Sequence, residues 1–158
     1  KGIIVNKKVE EILRQLSTSN RWKIEIECIQ HGNVTVFEHS VNVAEISIAF
    51  AEKLPITVNE ESLIKGALLH DYFLYDWHNK EQSPGLHGFK HPYIALKNAE
   101  EDYDLNDIEK NIILRHMFPL VPIPPRCKEA WIVCVADKYC ALGETVLGWL
   151  KKVLPIGA

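Results

Sequence analysis

The sequence predicts an all-α, single-domain bundle of six or seven helices. Apolar residues recur at three- and four-residue spacing along most of the chain, no stretch alternates as a half-buried strand would, and caps and prolines bracket the periodic stretches. With 158 residues, 47% hydrophobic and 9% aromatic, the chain has the makings of one domain with its own core. That domain is taken as 1–158, with N-terminal helices over 1–30 and the helical core that carries the chemistry over 37–142.

Val9, Ile12, Leu13 and Leu16 mark a short amphipathic helix stopped by Ser17-Thr18-Ser19-Asn20. A second helix is expected over Arg21 to Gln30, ending at the His31-Gly32-Asn33 turn. The third keeps an apolar face from Val36 and Phe37 through Val41, Ala44, Phe50 and Leu54 until Pro55, with His39 in its first turn. Asn59 is an N-cap followed by the favourable first-turn carboxylates Glu60 and Glu61, and Leu63, Ile64, Ala67, Leu68 and Leu69 then run into His70-Asp71. The longest loop, Trp77 to Gly88, is a candidate pocket wall. Pro92 suits the first position of the next helix, which carries Ile94, Ala95, Leu96 and Ala99. Asn106 caps another, whose Ile108, Ile112, Ile113 and Leu114 lead to Arg115-His116. After the proline-rich stretch Pro119 to Pro125, a long helix holds Trp131, Ile132, Val133, Ala136, Leu142, Val146 and Trp149. Its apolar side is a candidate homodimer face, whereas the acidic stretch Glu100 to Asp104 reads as ordinary solvated charge.

Charge and composition exclude several partners. A net charge of −3 argues against a surface built for a nucleic-acid duplex. No apolar stretch approaches 18 residues and no signal peptide is visible, so no membrane is expected. Cys28, Cys127, Cys134 and Cys140 form no CxxC pair or disulfide framework, which fits a reducing compartment and a cytoplasmic protein.

His39, His70-Asp71, His116 and Asp137 stand at helix ends or in helix faces, with His87 and His91 between them. Imidazole and carboxylate are ligands of first-row divalent cations, and only helices converging from different parts of the chain can surround one. Each histidine alone is more simply a helix-end residue favoured by the dipole. Asp137 is different, because a carboxylate inside an apolar helix is costly unless paired or metal-bound.

Three segments carry a family resemblance: Glu38-His39-Ser40-Val41-Asn42-Val43-Ala44, Ala67-Leu68-Leu69-His70-Asp71 and Val135-Ala136-Asp137-Lys138. In order and context they resemble the His, His-Asp and Asp signature of the HD-domain superfamily of metal-dependent phosphohydrolases, over about Phe37 to Tyr139. His87-Gly88-Phe89-Lys90-His91-Pro92 and Leu114-Arg115-His116 are similar to a bacterial branch of the subset that adds histidines for a second metal. The resemblance implies an all-helical fold around the metal and hydrolysis of a phosphate ester. Tyr72 to Trp77 departs from the usual family sequence after the doublet and leaves the substrate's identity open.

The implied ligands are His39, His70, Asp71 and Asp137 for one ion, with His91 and His116 adding a second about 3.5–4 Å away across a bridging Asp71. This mixture suits Mn, Fe, Co, Ni or Zn better than Mg or Ca, so the cofactor is one or two divalent transition-metal ions. His91 is favoured over His87 as ligand by its His-Pro context. The expected activity is hydrolysis of a small phosphate ester, a nucleotide phosphomonoester or phosphodiester, by metal-activated water. Asp71, His87, Arg115 and Lys138 are the candidate catalytic residues: His87 as donor to the phosphate or leaving oxygen, and Arg115, Lys138 or Lys90 as the cation beside a non-bridging oxygen. Tyr72, Tyr75 and Trp77 are candidates to stack on a base. A di-iron oxygenase of the same fold and a non-catalytic, metal-stabilised ligand-sensing module are the alternatives.

Overall fold

A computed structural model describes residues 6–31, 34–76, 78–81 and 85–153, excepting the side chains of residues 25–27, 29 and 31. The helices are α1 (Lys7–Leu16), α2 (Trp22–Glu27), α3 (Val36–Lys53), α4 (Glu60–Leu69), α5 (His87–Asp102), α6 (Asp107–Arg115) and α7 (Lys128–Val153). Caps start them as local chemistry demands. Asn59 accepts from the Ser62 amide, and Asn106 with Glu109 and Thr35 with Glu38 form complete capping boxes.

The core is layered around α4, whose Ser62 to Leu69 are buried except for Lys65. α3 packs on one side of it and α6 on another, α7 closes over α3 and α6, α5 lies against α6, and α1 crosses α4. The approach of α4 to α6 is set by Gly66. A Cβ there would stand 2.5 Å from Ile112 Cδ1 and 2.9 Å from Ile112 Cβ. Gly66 lies one turn before His70, and Ile112 one turn before His116, so the crossing brings two helix C-termini side by side.

Several elements differ from the sequence reading. The second helix stops at Glu27, because Cys28 turns extended (φ −84°, ψ 133°), and the chain then forms a strand the sequence did not suggest. β1 (Ile29–His31) pairs antiparallel with β2 (Val34–Thr35), with an irregular register between Ile29 and His31. The extended Thr35 that closes this ribbon is the same residue that caps α3, so the ribbon and the cap form together. α5 begins at His87, five residues before the expected start, and Pro92 lies inside it. Its missing N–H forfeits one bond to the preceding turn, a loss confined to the helix's second turn. The expected turn at Gly32-Asn33, the aromatic Trp77 and loop residues 82–84 lie outside the described residues.

Tyr72 is fully buried and stacks on Trp22 (centroids 5.8 Å, 28°), so it cannot stack on a base. Asp102 also departs from expectation: it accepts from Arg21 Nε and the Tyr72 hydroxyl, each at 2.8 Å, and so ties α5 to the α1–α2 corner instead of facing water. The four thiols are free. α7 leaves Val135, Tyr139, Leu142, Val146, Leu147 and Trp149 exposed in the single chain. Among the described residues no helix is long and apolar enough to cross a membrane.

Gly66→Ala is expected to cost about 1–3 kcal/mol of stability despite alanine's better helix propensity, because the methyl overpacks against Ile112. Urea unfolding of Gly66→Ala and of Gly66→Ala/Ile112→Val should show part of the loss restored in the double variant. An unchanged midpoint in the single variant would contradict the crossing described here.

Candidate metal centre

Each histidine is oriented by the end of the helix that carries it. His70 and His116 are the C-cap residues of α4 and α6, where carbonyls lack helical partners. His70 Nδ1 donates to the Ala67 carbonyl at 2.6 Å and His116 Nδ1 to that of Ile113 at 2.7 Å. In α5, His91 Nδ1 donates to the His87 carbonyl at 2.9 Å. A carbonyl only accepts, so Nδ1 carries the proton in all three rings and each Nε2 presents a lone pair inward.

Those lone pairs converge on Asp71. Its Oδ2 lies 3.3 Å from His70 Nε2 and 3.9 Å from His39 Nε2, while Oδ1 lies 3.1 Å from His91 Nε2 and 3.3 Å from His116 Nε2. Asp137, from α7, places Oδ1 2.9 Å from His39 Nε2 and 3.5 Å from His70 Nε2. The centre therefore has two lobes that share one carboxylate. His39, His70, Asp137 and Oδ2 face one lobe; His91, His116 and Oδ1 face the other. All six residues are buried.

The donors fit divalent ions on their own chemistry. Among the described residues His70 Nε2 and Asp71 Oδ1 are buried without hydrogen-bond partners, and His91 Nε2 and His116 Nε2 face each other at 2.8 Å. Paired imidazole lone pairs repel unless a proton or cation lies between them. Three overlapping triads, His39/His70/Asp71, His70/His116/Asp137 and Asp71/His91/His116, keep their ligand atoms within 4.8 Å of one another. Nitrogen with carboxylate oxygen is the donor set of Mn, Fe, Co, Ni and Zn.

Glu144 completes the His39 side and was not singled out from sequence. It lies two helical turns past Asp137 on the same side of α7, and His39 Nδ1 donates to its Oε2 at 2.8 Å. Asn42 Nδ2 donates to the other oxygen at 3.3 Å. A carboxylate on Nδ1 fixes the ring and strengthens Nε2 as a ligand. The available signal was a second acid on an apolar face, seven residues after the first.

The electrostatics follow from burial and pairing. Burial opposes charge on His39, but hydrogen bonds to Asp137 and Glu144 outweigh it and lift the pKa to about 9. His70 is likewise raised, since Asp71 and Asp137 overcome desolvation. Against their own burial, both aspartates are held well below the ordinary carboxylate range, Asp71 chiefly by the neighbouring His70 and His116 rings, Asp137 by the hydrogen bond to His39 and the nearby His70 ring.

The centre opens on a cavity of about 810 Å³ lined by Asp71, His91, His116 and Asp137, by the apolar Met117, Pro119, Leu120 and Ala141, and by Gln30, His87, Gly88 and Lys138. Gly88 lets Leu120 lie against the helix there, and a Cβ, 2.9 Å from Leu120 Cδ2, would push that exposed side chain aside. His87 stacks on His91 (centroids 4.5 Å, 16°), and its Nδ1 lies 2.8 Å from the Tyr75 hydroxyl. Burial, then the neighbouring His91, lowers its pKa to about 4, so the ring is neutral at pH 7. Lys138 Nζ donates to the His116 carbonyl at 2.7 Å while bordering the cavity. Arg115 is not brought to the centre: it lines a separate depression with Asn111 and Arg126. Lys90 is exposed on α5 and does not line the cavity. Gln30, also missed in the sequence, enters through β1, and its Nε2 donates to Asp71 Oδ2.

The HD domain family matches residues 36–142, from the first residue of α3 through the Asp137 segment of α7. The chain belongs to the HD domain family. It is also 31% identical over 113 residues to a dihydroneopterin 2',3'-cyclic phosphate phosphodiesterase of Methanocaldococcus jannaschii, a match covering 65% of this chain. The same match covers 45% of that relative, so the chain spans less than half of its length. No solved structure matches the chain. The matched region contains all six converging residues of this HD domain, and the ribbon that supplies Gln30 lies just before it.

Glu144→Gln is expected to weaken divalent metal binding by about 10- to 100-fold, as loss of a ligand's hydrogen-bonded carboxylate generally does. Calorimetric titration with Mn and Zn reads this directly, and affinities within twofold of wild type would remove Glu144 from the centre. A second expectation concerns pH. His39 is protonated at pH 7 in the metal-free protein and must lose that proton to bind through Nε2, so apparent affinity should climb until pH about 9 and then level. Titrations in buffers of different ionisation heat should show the released proton. The folded chain binds this proton more tightly than the unfolded one, so the stability it contributes is full below pH 6.5 and is lost as pH rises through about 9. A metal-free melting temperature that rises over that window would contradict the assignment.

Proposed function

We propose that this HD domain is a metal-dependent phosphohydrolase acting on a small phosphate ester, a nucleotide-like phosphomonoester or phosphodiester. The observation that carries the reading is Asp71, whose two oxygens face two imidazole lobes at the floor of an open cavity. His39, His70, Asp71 and Asp137 would hold one ion, and Asp71, His91 and His116 a second. Bound there, divalent ions supply Lewis acidity to the phosphoryl oxygens and an acidified water.

The chain's own residues do the rest. The buried floor excludes bulk water beneath the phosphorus. With the Tyr75 hydroxyl donating to Nδ1, His87 keeps its proton on Nε2 and can donate to a phosphate or leaving oxygen as a neutral ring. Lys138 stands at the cavity wall as the cation for a non-bridging oxygen. Met117, Pro119, Leu120 and Ala141 offer an apolar wall to a flat ring carried by the ester. The relative's cyclic phosphate carries such a ring, a dihydroneopterin, and this supports a heterocyclic phosphodiester as the substrate class.

Wild-type protein loaded with Mn is expected to hydrolyse bis-4-nitrophenyl phosphate, and Asp71→Asn to fold yet lose activity by about two orders of magnitude or more. Folding of the variant is checked by its urea midpoint. The hydrolase reading fails if wild type turns over neither phosphomonoesters nor phosphodiesters with any of Mn, Fe, Co, Ni or Zn.

A further inference from the structure

Gln30 lines the cavity with a buried side-chain acceptor that no described residue bonds. The residue is 5% exposed, sits on β1 and lines the cavity wall. Its amide orientation is fixed by chemistry. Nε2 meets Asp71 Oδ2, and a carboxylate can only accept, so the nitrogen must face Asp71 and Oε1 must face away from it. That Oε1 is buried and has no hydrogen-bond partner among the described residues. A carbonyl oxygen left in this state keeps the full penalty of its desolvation. Of the other lining residues, Met117, Pro119, Leu120 and Ala141 carry no side-chain donor, and the Lys138 ammonium bonds to the His116 carbonyl and to Cys134.

No described residue supplies the donor, which leaves what enters the cavity as its source. Asp71 Oδ2 is the oxygen turned to the His39 and His70 lobe, and the planar amide keeps Oε1 within roughly 5 Å of it. In the assignment above the phosphorus would sit over the Asp71 centre, so Oε1 borders the reacting end of the cavity. The group that brings an O–H to that point in every hydrolysis is the water itself.

We propose that Gln30 is a catalytic residue of the phosphoester hydrolysis assigned above, its Oε1 accepting a hydrogen bond from the attacking water and fixing the direction of attack. The inference rests on that assignment. In the step, the water oxygen forms a bond to phosphorus while the ester P–O bond breaks and its electron pair leaves with the alcohol or phenol oxygen. One water proton passes to solvent or to the leaving oxygen. The other stays on the entering oxygen and donates to Gln30 throughout. A neutral acceptor suits this role, since it holds the water without becoming a competing base.

The test uses the full chain loaded with Mn and bis-4-nitrophenyl phosphate, a substrate with no O–H or N–H donor of its own. Gln30→Met is expected to lower kcat by about 10- to 100-fold, the cost of a misdirected nucleophile, with KM within about threefold of wild type. Calorimetric Mn affinity should stay within about threefold, which separates loss of the water's partner from damage to Asp71. Gln30→Ala, which makes no demand on packing, should show the same pattern if the methionine variant folds poorly. An unchanged kcat in both variants overturns the proposal. So does a rise in KM alone, which would make Oε1 a reader of substrate, or a tenfold loss of Mn affinity in step with kcat, which would make Gln30 a support for Asp71. Absence of turnover by wild type is a different failure and removes the hydrolase reading together with this one.

Discussion

Six buried ionisable side chains converge at the floor of one cavity, and the rest of the fold is arranged to make that tolerable. Unpaired charge is among the most expensive things a protein interior can hold. Here the expense is met by geometry: three Nδ1 protons are spent on carbonyls and a fourth on Glu144, so every imidazole has one satisfied side and one reactive side. Helix C-termini are the natural place for such rings, because their last carbonyls have no helical donor. The α4–α6 crossing at Gly66 and Ile112 then sets how far apart His70 and His116 can be. A bulkier contact would separate the lobes, and Asp71 could no longer address both.

Much of this was written in the chain. His70 and His116 were legible because apolar periodicity stops where they stand, His39 because it sits in the first turn of an apolar helix, and Asp137 because it interrupts one. Asn59 and Asn106 announced their helices as caps. Pairwise relations were less visible. Glu144 looked like any surface acid of a long helix, and only the fold of α3 onto α7 turns it toward His39. Arg115 adjoins His116 in sequence, yet successive helical residues point about 100° apart, so the histidine faces the centre and the arginine faces another depression.

The ribbon was the least legible element, for a physical reason. Two strands of three and two residues are too short to show alternation, and β1 differs little in composition from the helix before it. What holds them is tertiary: Val36 N–H bonds to the Cys28 carbonyl at 2.8 Å, and Gln30 is anchored on Asp71. Tyr72 misled in the opposite sense. An aromatic beside the doublet looked available for stacking, but Trp22 and Asp102 claim both its face and its hydroxyl.

Charge counting bears on how many ions the proposed reaction needs. Asp71, Asp137 and Glu144 place three negative charges in and against the centre. One divalent ion together with the Lys138 ammonium only balances them, which gives an anionic ester no net attraction. A second ion leaves the site net positive, which attracts it. The cavity offers little other help, since Lys138 is the lining residue with a fixed positive charge and its ammonium already donates to the His116 carbonyl. Enzymes that bind phosphate without a second ion commonly surround it with arginine forks. Here the nearest sequence candidate, Arg115, points elsewhere. The second lobe of His91, His116 and Asp71 Oδ1 would thus provide, through the ion it would hold, the net positive charge that Lys138 alone does not.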